Sequence, residues 1–279
     1  MSPKIHAHAA AILAVNLVVT VAVPRPALAA DASAWDGDQR AAVRLIAGAQ
    51  RGAVHRAGIE IRLAPGWKTY WRYPGDSGIP PRFDFSQSKN VKSVTVRYPA
   101  PHRLTDESGT SIGYKRGVVF PLDVVPENAA QPVALVVKAD YAVCEKICIP
   151  AEGKAELNVT GKPGGQEGWL KQNEMLVPSA AKIGGGETLA VRAVKREDKR
   201  ILVDVAAPGA VELFAEGPAA DWALPVPSPV DGAPAGQQRF VFELDGLPPN
   251  AKPDGATLML TAVSDGQAIE VPYRLDSRN

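Results

Sequence analysis

Cysteine is scarce in this chain: 279 residues contain only two, Cys144 and Cys148. Other soft metal ligands are scarce too. Once an N-terminal export signal is set aside, His55, His102, Met175 and Met259 are all that remain of the histidines and methionines. A closed zinc site takes four ligands, commonly Cys and His, and Cu(I) favours thioethers beside thiolates. These four residues are far apart in sequence and neither methionine adjoins the cysteines, so the pattern speaks against a metal centre. An excess of charge of one sign is also missing. With Lys4 and Arg25 inside the signal, 29 basic residues face 30 acidic ones, a net charge of −1. That balance argues against a nucleic-acid partner or a polybasic membrane contact.

Long apolar runs are missing after the N-terminus. Ala9–Val23 (AAAILAVNLVVTVAV) is the exception, preceded by Lys4 and followed by PRPALA, which places Ala27 and Ala29 at the A-x-A spacing of a signal-peptidase site. The stretch is short for a spanning helix, which needs roughly 20 apolar residues. Residues 1–29 are therefore expected to be a cleaved export signal, and the mature chain to be a soluble, exported, periplasmic protein. Export matters for the thiols, because outside the cytosol they meet an oxidising environment.

What the chain does have is proline and glycine, 25 of each, spaced between short β-branched runs. GIEIRLAP (58–65), VKSVTVRYP (91–99), GVVFPLDVV (117–125), PVALVVKADYAV (132–143) and KAELNVT (154–160) are candidate strands, and several alternate apolar and polar residues as half-buried antiparallel strands do. Evenly spaced short strands divided by turns point to a β-sandwich. Residues 163–180 read as a linker with a short helix in WLKQNEMLVPSA (169–180), ended by Pro178. From 181 to 279 the β pattern resumes. TLAVRAVKREDKRILVDVAA (188–207) reads as a hairpin turning at KREDK, and four further strands, at 211–217, 239–247, 257–265 and 267–275, lie around a Pro/Gly loop at 225–238. The expectation is an all-β protein of two sandwich domains, without cysteine in the second.

Cys144 and Cys148 stand with three residues between them in YAVCEKICIPAEG, between two strand-like segments. A hairpin turn carrying the pair can bring the two α-carbons within bonding range. Three chemistries fit. A structural staple over so short a loop contributes only about 2 kcal/mol by constraining the unfolded chain. A metal clip lacks further ligands. A redox pair fits because strained, exposed disulfides are the labile ones. Lys146 favours a thiolate and Glu145 opposes it, so local charge does not choose between the sulfurs.

The neighbouring words are more specific. GWKTYWRYPGDSGIPPRFDF (66–85), DESGTSIGYKRGVVFPLDV (106–124) and YAVCEKICIPAEGKAEL (141–157) together resemble the N-terminal periplasmic domain of the DsbD family of thiol:disulfide interchange proteins, in the branch that includes the ScsB proteins. The resemblance covers residues 38–162, and 181–279 resemble, more loosely, a second β-rich segment of that branch. It implies an immunoglobulin-like fold for each domain and thiol–disulfide exchange through Cys144 and Cys148. Cys148 would attack the partner disulfide and Cys144 resolve the mixed disulfide. No cofactor is implied. The partners would be a membrane-embedded or soluble electron donor and exported protein substrates.

Two departures stand out. The better-studied branch spaces its cysteines more widely and covers them with a cap loop bearing an aromatic. The matching segment here, LTDESGTS (104–111), has none. Shielding would then fall to Tyr70, Trp71 or Tyr73, and tuning of the thiols to Asp106 or Glu107, since a nearby carboxylate disfavours thiolate. Family members also continue into a membrane-spanning domain and often a thioredoxin-like one. Neither is found before Asn279, so a relay would draw on a separate donor. The rival readings are a binding or adaptor module with a structural disulfide and a Cu(I)-binding copper-tolerance protein.

Overall fold

A computed structural model of the chain describes residues 31–75, 78–106, 109–185 and 188–276. The expected export signal lies outside the described residues. The rest is mostly β: four sheets form two sandwich-like bodies joined near one short helix.

In the first body a five-stranded sheet runs Asp36–Gly37, Ala41–Ala47, His55–Leu63, Val118–Pro126, Val91–Val96 in spatial order. It packs against a six-stranded sheet ordered Cys148–Val159, Val133–Cys144, Lys68–Tyr70, Gly109–Lys115, His102–Asp106. The short strand Arg82–Asp84 also pairs with Val133–Cys144. Ile59, Ile61, Phe120, Leu122, Leu135 and Val137 fill the space between the sheets and are almost wholly buried. Phe120 gathers the rings of Phe83, Tyr98 and Tyr114, with centroids 5.2–5.6 Å away in tilted or edge-on geometry, as aromatic quadrupoles prefer.

The expected strand at 132–143 and its partner form one long hairpin, paired without a break from Val133↔Val159 to Cys144↔Cys148. Along Cys148–Val159 the second half alternates buried and exposed residue by residue, the signature of one face on the core. This strand is a sheet edge, where Pro150, lacking an N–H, is tolerated. Strands that the periodicity did not single out include Ala41–Ala47, buried over nearly its whole length, Gly109–Lys115, and short pieces such as Lys68–Tyr70 and His102–Asp106.

The helix spans Glu167–Glu174, shorter than the 169–180 expected. After it the chain turns, the Leu176 carbonyl accepts from the Ala100 N–H, and Ser179–Ala180 pairs in parallel with Ile269 and Glu270. Pro178 biases Val177 toward extended backbone, so helix cannot run through this point. Leu170 anchors the helix, fully buried against Ile46 and Val119. Arg56, 6% exposed at its side chain, grips the helix at both ends through Glu167 (2.7 Å) and Glu174 (2.6 Å).

The second body pairs two four-stranded sheets. One is ordered Ser179–Ala180, Gln267–Arg274, Thr257–Ser264, Glu212–Glu216, and the other Ala190–Glu197, Arg200–Ala206, Gln237–Glu243, Ser228–Val230. The hairpin expected at KREDK turns at Asp198, which takes φ 55°. The Pro/Gly loop at 225–238 contains a short strand, Ser228–Val230, that pairs with Gln237–Glu243. One continuous apolar cluster runs through both bodies.

Candidate functional site

The two cysteines close the long hairpin. Cys144 ends one strand, Cys148 begins the next, and they are directly cross-strand with α-carbons 4.1 Å apart and sulfurs bonded. Glu145, Lys146 and Ile147 form the connecting loop, all exposed. The hairpin makes the two sulfurs unequal. Cys144 is 2% exposed, whereas Cys148 lies on the exposed tip. Ile147 beside it is 74% exposed, the second most exposed large apolar side chain among the described residues.

Lys68–Tyr70 pairs with the other side of Val133–Cys144, with Cys144 opposite Lys68 and Val143 opposite Thr69. The Thr69 hydroxyl donates to the Ala142 carbonyl at 2.9 Å and fastens the short strand to the hairpin. Cross-strand partners share a face, and residues two apart on a strand do so as well. Lys68 and Tyr70 therefore stand on the face of Cys144. Tyr70, 2% exposed, packs with Ala142 and Cys144 in a small cluster of its own. Its hydroxyl lies 2.7 Å from Cys144 Sγ and 3.0 Å from Cys148 Sγ. A disulfide sulfur carries no hydrogen, so the phenol is the donor, its one O–H shared between the two sulfurs. Gly78 lies directly against the phenol ring. A side chain there would put its Cβ 2.6 Å from both the Tyr70 ring and Pro74, so only glycine lets the backbone approach so closely.

The other residues singled out from the sequence are distributed differently. Trp71 is fully buried and faces the second body, 5.8 Å from the Phe214 ring. The Tyr73 hydroxyl donates to the Leu224 carbonyl, also in the second body, at 2.7 Å. Asp106 ends its strand opposite Gly109, and Glu107 lies outside the described residues. Lys68 is the residue that sequence reading passed over. It is 5% exposed, and its ammonium donates to Ser111 Oγ at 3.2 Å. Its signal was a lysine alternating with aromatics in GWKTYWRY, on the phase that Tyr70 occupies.

The histidines lie elsewhere. His55 Nδ1 is 3.3 Å from the Val159 carbonyl, and His102 Nδ1 is 3.3 Å from Glu212. Among the described residues no group of three His, Cys, Asp or Glu comes together as metal ligands would.

The fold and the site together define a β-sandwich that presents a solvent-reachable disulfide at a hairpin tip, with a buried phenol against its sulfurs. Comparison with known proteins gives a likeness for each part. Residues 38–160 match the family described as "Thiol:disulfide interchange protein DsbD, N-terminal". That stretch is similar to the DsbD N-terminal domain family. Among solved structures, the fold is similar to the N-terminal periplasmic domain of ScsB from Proteus mirabilis. The TM-score is 0.69 at 18% identity, over 89% of this chain and 99% of that one. The likeness therefore extends through both bodies. Comparison with curated proteins yields no match. Among the described residues no helix is long and apolar enough to cross a membrane.

Proposed function

We propose that this protein is a periplasmic thiol–disulfide exchange protein, passing electrons between a membrane-embedded or soluble dithiol donor and exported proteins through Cys144 and Cys148. The observation that carries this reading is the inequality of the sulfurs: Cys148 exposed, Cys144 buried, and the Tyr70 hydroxyl within hydrogen-bond reach of both.

The chemistry follows from that asymmetry. In the reduced protein the Cys148 thiolate attacks a sulfur of the substrate disulfide, whose other sulfur leaves with the bond's electron pair and takes up a proton. Cys144, deprotonated, then attacks Cys148 Sγ. The mixed disulfide breaks, the substrate departs as a dithiol, and the Cys144–Cys148 bond re-forms. A donor dithiol reverses the sequence by attacking Cys148, and Cys144 is expelled as a thiolate. A buried thiolate without a donor is costly. Tyr70 supplies that donor where the charge develops, as preorganised hydrogen bonds do at other developing anions. No organic cofactor enters.

Trapping tests the reading. Cys144→Ser should accumulate mixed disulfides with exported proteins through Cys148, and Cys148→Ser should accumulate few. A reduction potential for the wild-type pair well below about −300 mV would mark a resistant structural bond and sink the proposal.

A further inference from the structure

Tyr70 is the last residue of a strand only three residues long, so its direction depends on what holds the chain just after it. The three residues that follow are all held by the second sandwich. Trp71 packs on Phe214. The Arg72 guanidinium lies 4.5 Å over the Trp71 ring and pairs with Glu216 at 2.7 and 2.8 Å and with Glu270 at 2.6 Å. Tyr73 donates to the Leu224 carbonyl. These anchors belong to one face of the second body, since Glu216 and Phe214 share the strand Glu212–Glu216 and Glu270 lies in Gln267–Arg274 of the same sheet. The strand His102–Asp106, two places beyond Lys68–Tyr70 in the same sheet, is held as well. The Arg103 backbone N–H donates to Glu212 at 2.8 Å, and its guanidinium donates to the Pro227 carbonyl at 2.7 Å.

We propose that the second sandwich is a positioning brace for the disulfide site: by clamping Trp71, Arg72 and Tyr73 it holds the Tyr70 hydroxyl on the sulfurs, and so sets the reactivity of a pair it does not touch. The inference rests on the reading of Tyr70 as donor to the departing Cys144. A guanidinium held by two carboxylates, one of them bidentate, fixes direction as well as distance. All three charged side chains are at most 27% exposed, so solvent screens them little. A hydrogen bond, by contrast, weakens steeply once its geometry is lost. Freeing the clamp therefore costs the donor first, while the hairpin that carries the cysteines keeps its own ladder.

The test is a double-mutant cycle on the full chain, reading the rate at which excess dithiothreitol reduces the Cys144–Cys148 disulfide. Glu216→Gln with Glu270→Gln should slow reduction about three- to tenfold, as Tyr70→Phe should. The two together should be no slower than Tyr70→Phe alone, because coupled sites are not additive. A change of local charge or a general loosening of the fold would multiply with Tyr70→Phe instead, and that result overturns the brace. So does an unchanged rate in the glutamine variant. Should that variant not fold, Tyr73→Phe, which removes the bond to Leu224, must show the same non-additivity or the proposal fails. Dithiothreitol needs no protein partner, so the two readings fail separately. An intact cycle without mixed disulfides in the trapping experiment overturns the exchange reading alone. Normal trapping with multiplying effects overturns the brace alone.

Discussion

The Tyr70 hydroxyl stands 2.7 Å from Cys144 Sγ and 3.0 Å from Cys148 Sγ, one phenol shared by both ends of a disulfide. A donor is worth more to a thiolate than to a neutral disulfide sulfur, because hydrogen bonds to charged groups are roughly twice as strong. Tyr70 therefore stabilises the reduced state more than the oxidised one. Tyr70→Phe should make the pair harder to reduce, with a potential about 30–60 mV more negative for the loss of one charged hydrogen bond. Equilibration with a glutathione or dithiothreitol redox series measures it. A potential that moves positive would show that the phenol favours the disulfide.

Exposure predicts the order of chemical modification. In the reduced protein Cys148, on the hairpin tip, should react with iodoacetamide well before the buried Cys144. Mass spectrometry of a short alkylation pulse reads the order directly. Equal labelling of both sulfurs would mean that the hairpin opens once its bond is cut.

Ile147 is 74% exposed immediately before Cys148, where any protein bonded to that sulfur must cover it. Full burial of such a side chain is worth about 1.5–3 kcal/mol. Ile147→Ser should therefore slow exchange with protein disulfides by about tenfold or more, while leaving reduction by dithiothreitol within twofold of wild type, since that small reductant buries no such surface. Equal losses with both reductants would place the effect in the disulfide rather than in docking.

His102 and Glu212 join the two bodies across 3.3 Å. The hydrogen bond to Glu212 raises the His102 pKa, outweighing the opposing effect of burial. Burial pushes the Glu212 carboxyl up, but the bonds from His102 and the Arg103 N–H outweigh it, so Glu212 is ionised across the pH range in which His102 titrates. A raised histidine pKa means that the pair's stabilisation is fully present below the ordinary histidine range and is lost as pH rises through the raised value. The gap in Tm between wild type and Glu212→Gln should be larger at about pH 5.5 than at about pH 9. The side chains are 64% and 34% exposed, so added salt should shrink the effect. A gap that widens with pH would refute the pairing.

Leu170 fastens the helix to the first body, fully buried against Ile46 and Val119, with Gly58 leaving room for it. Leu170→Ala should cost about 2–5 kcal/mol in denaturant unfolding. Exchange by the folded fraction should be unchanged, because the helix packs on the five-stranded sheet and the disulfide belongs to the other.

Much of the first body was legible in order of residues alone. The hairpin Val133–Val159 could be read because its alternation is long and both cysteines fall at its turn. The all-β class, the turn at KREDK and the presence of a short linker helix came from the same local signals of period and punctuation. Lys68–Tyr70 could not be read, because three residues between Gly66 and Pro74 carry no period. Neither could the extent of the helix, which depends on Leu170 finding Ile46 and Val119, residues distant in the chain.

The sequence by itself determined that two cysteines share a hairpin tip, that little else could bind a soft metal with them, and which aromatic-rich word accompanies them. Tertiary structure decided which aromatic does what. Tyr70, Trp71 and Tyr73 are near neighbours in one stretch, yet the pairing of Cys144 with Lys68 turns Tyr70 onto the sulfurs. The two that follow are given to the second sandwich. Side chains alternate along a strand by local geometry, but the phase of that alternation against the cysteines is a register, and register is set by which distant strand lies alongside.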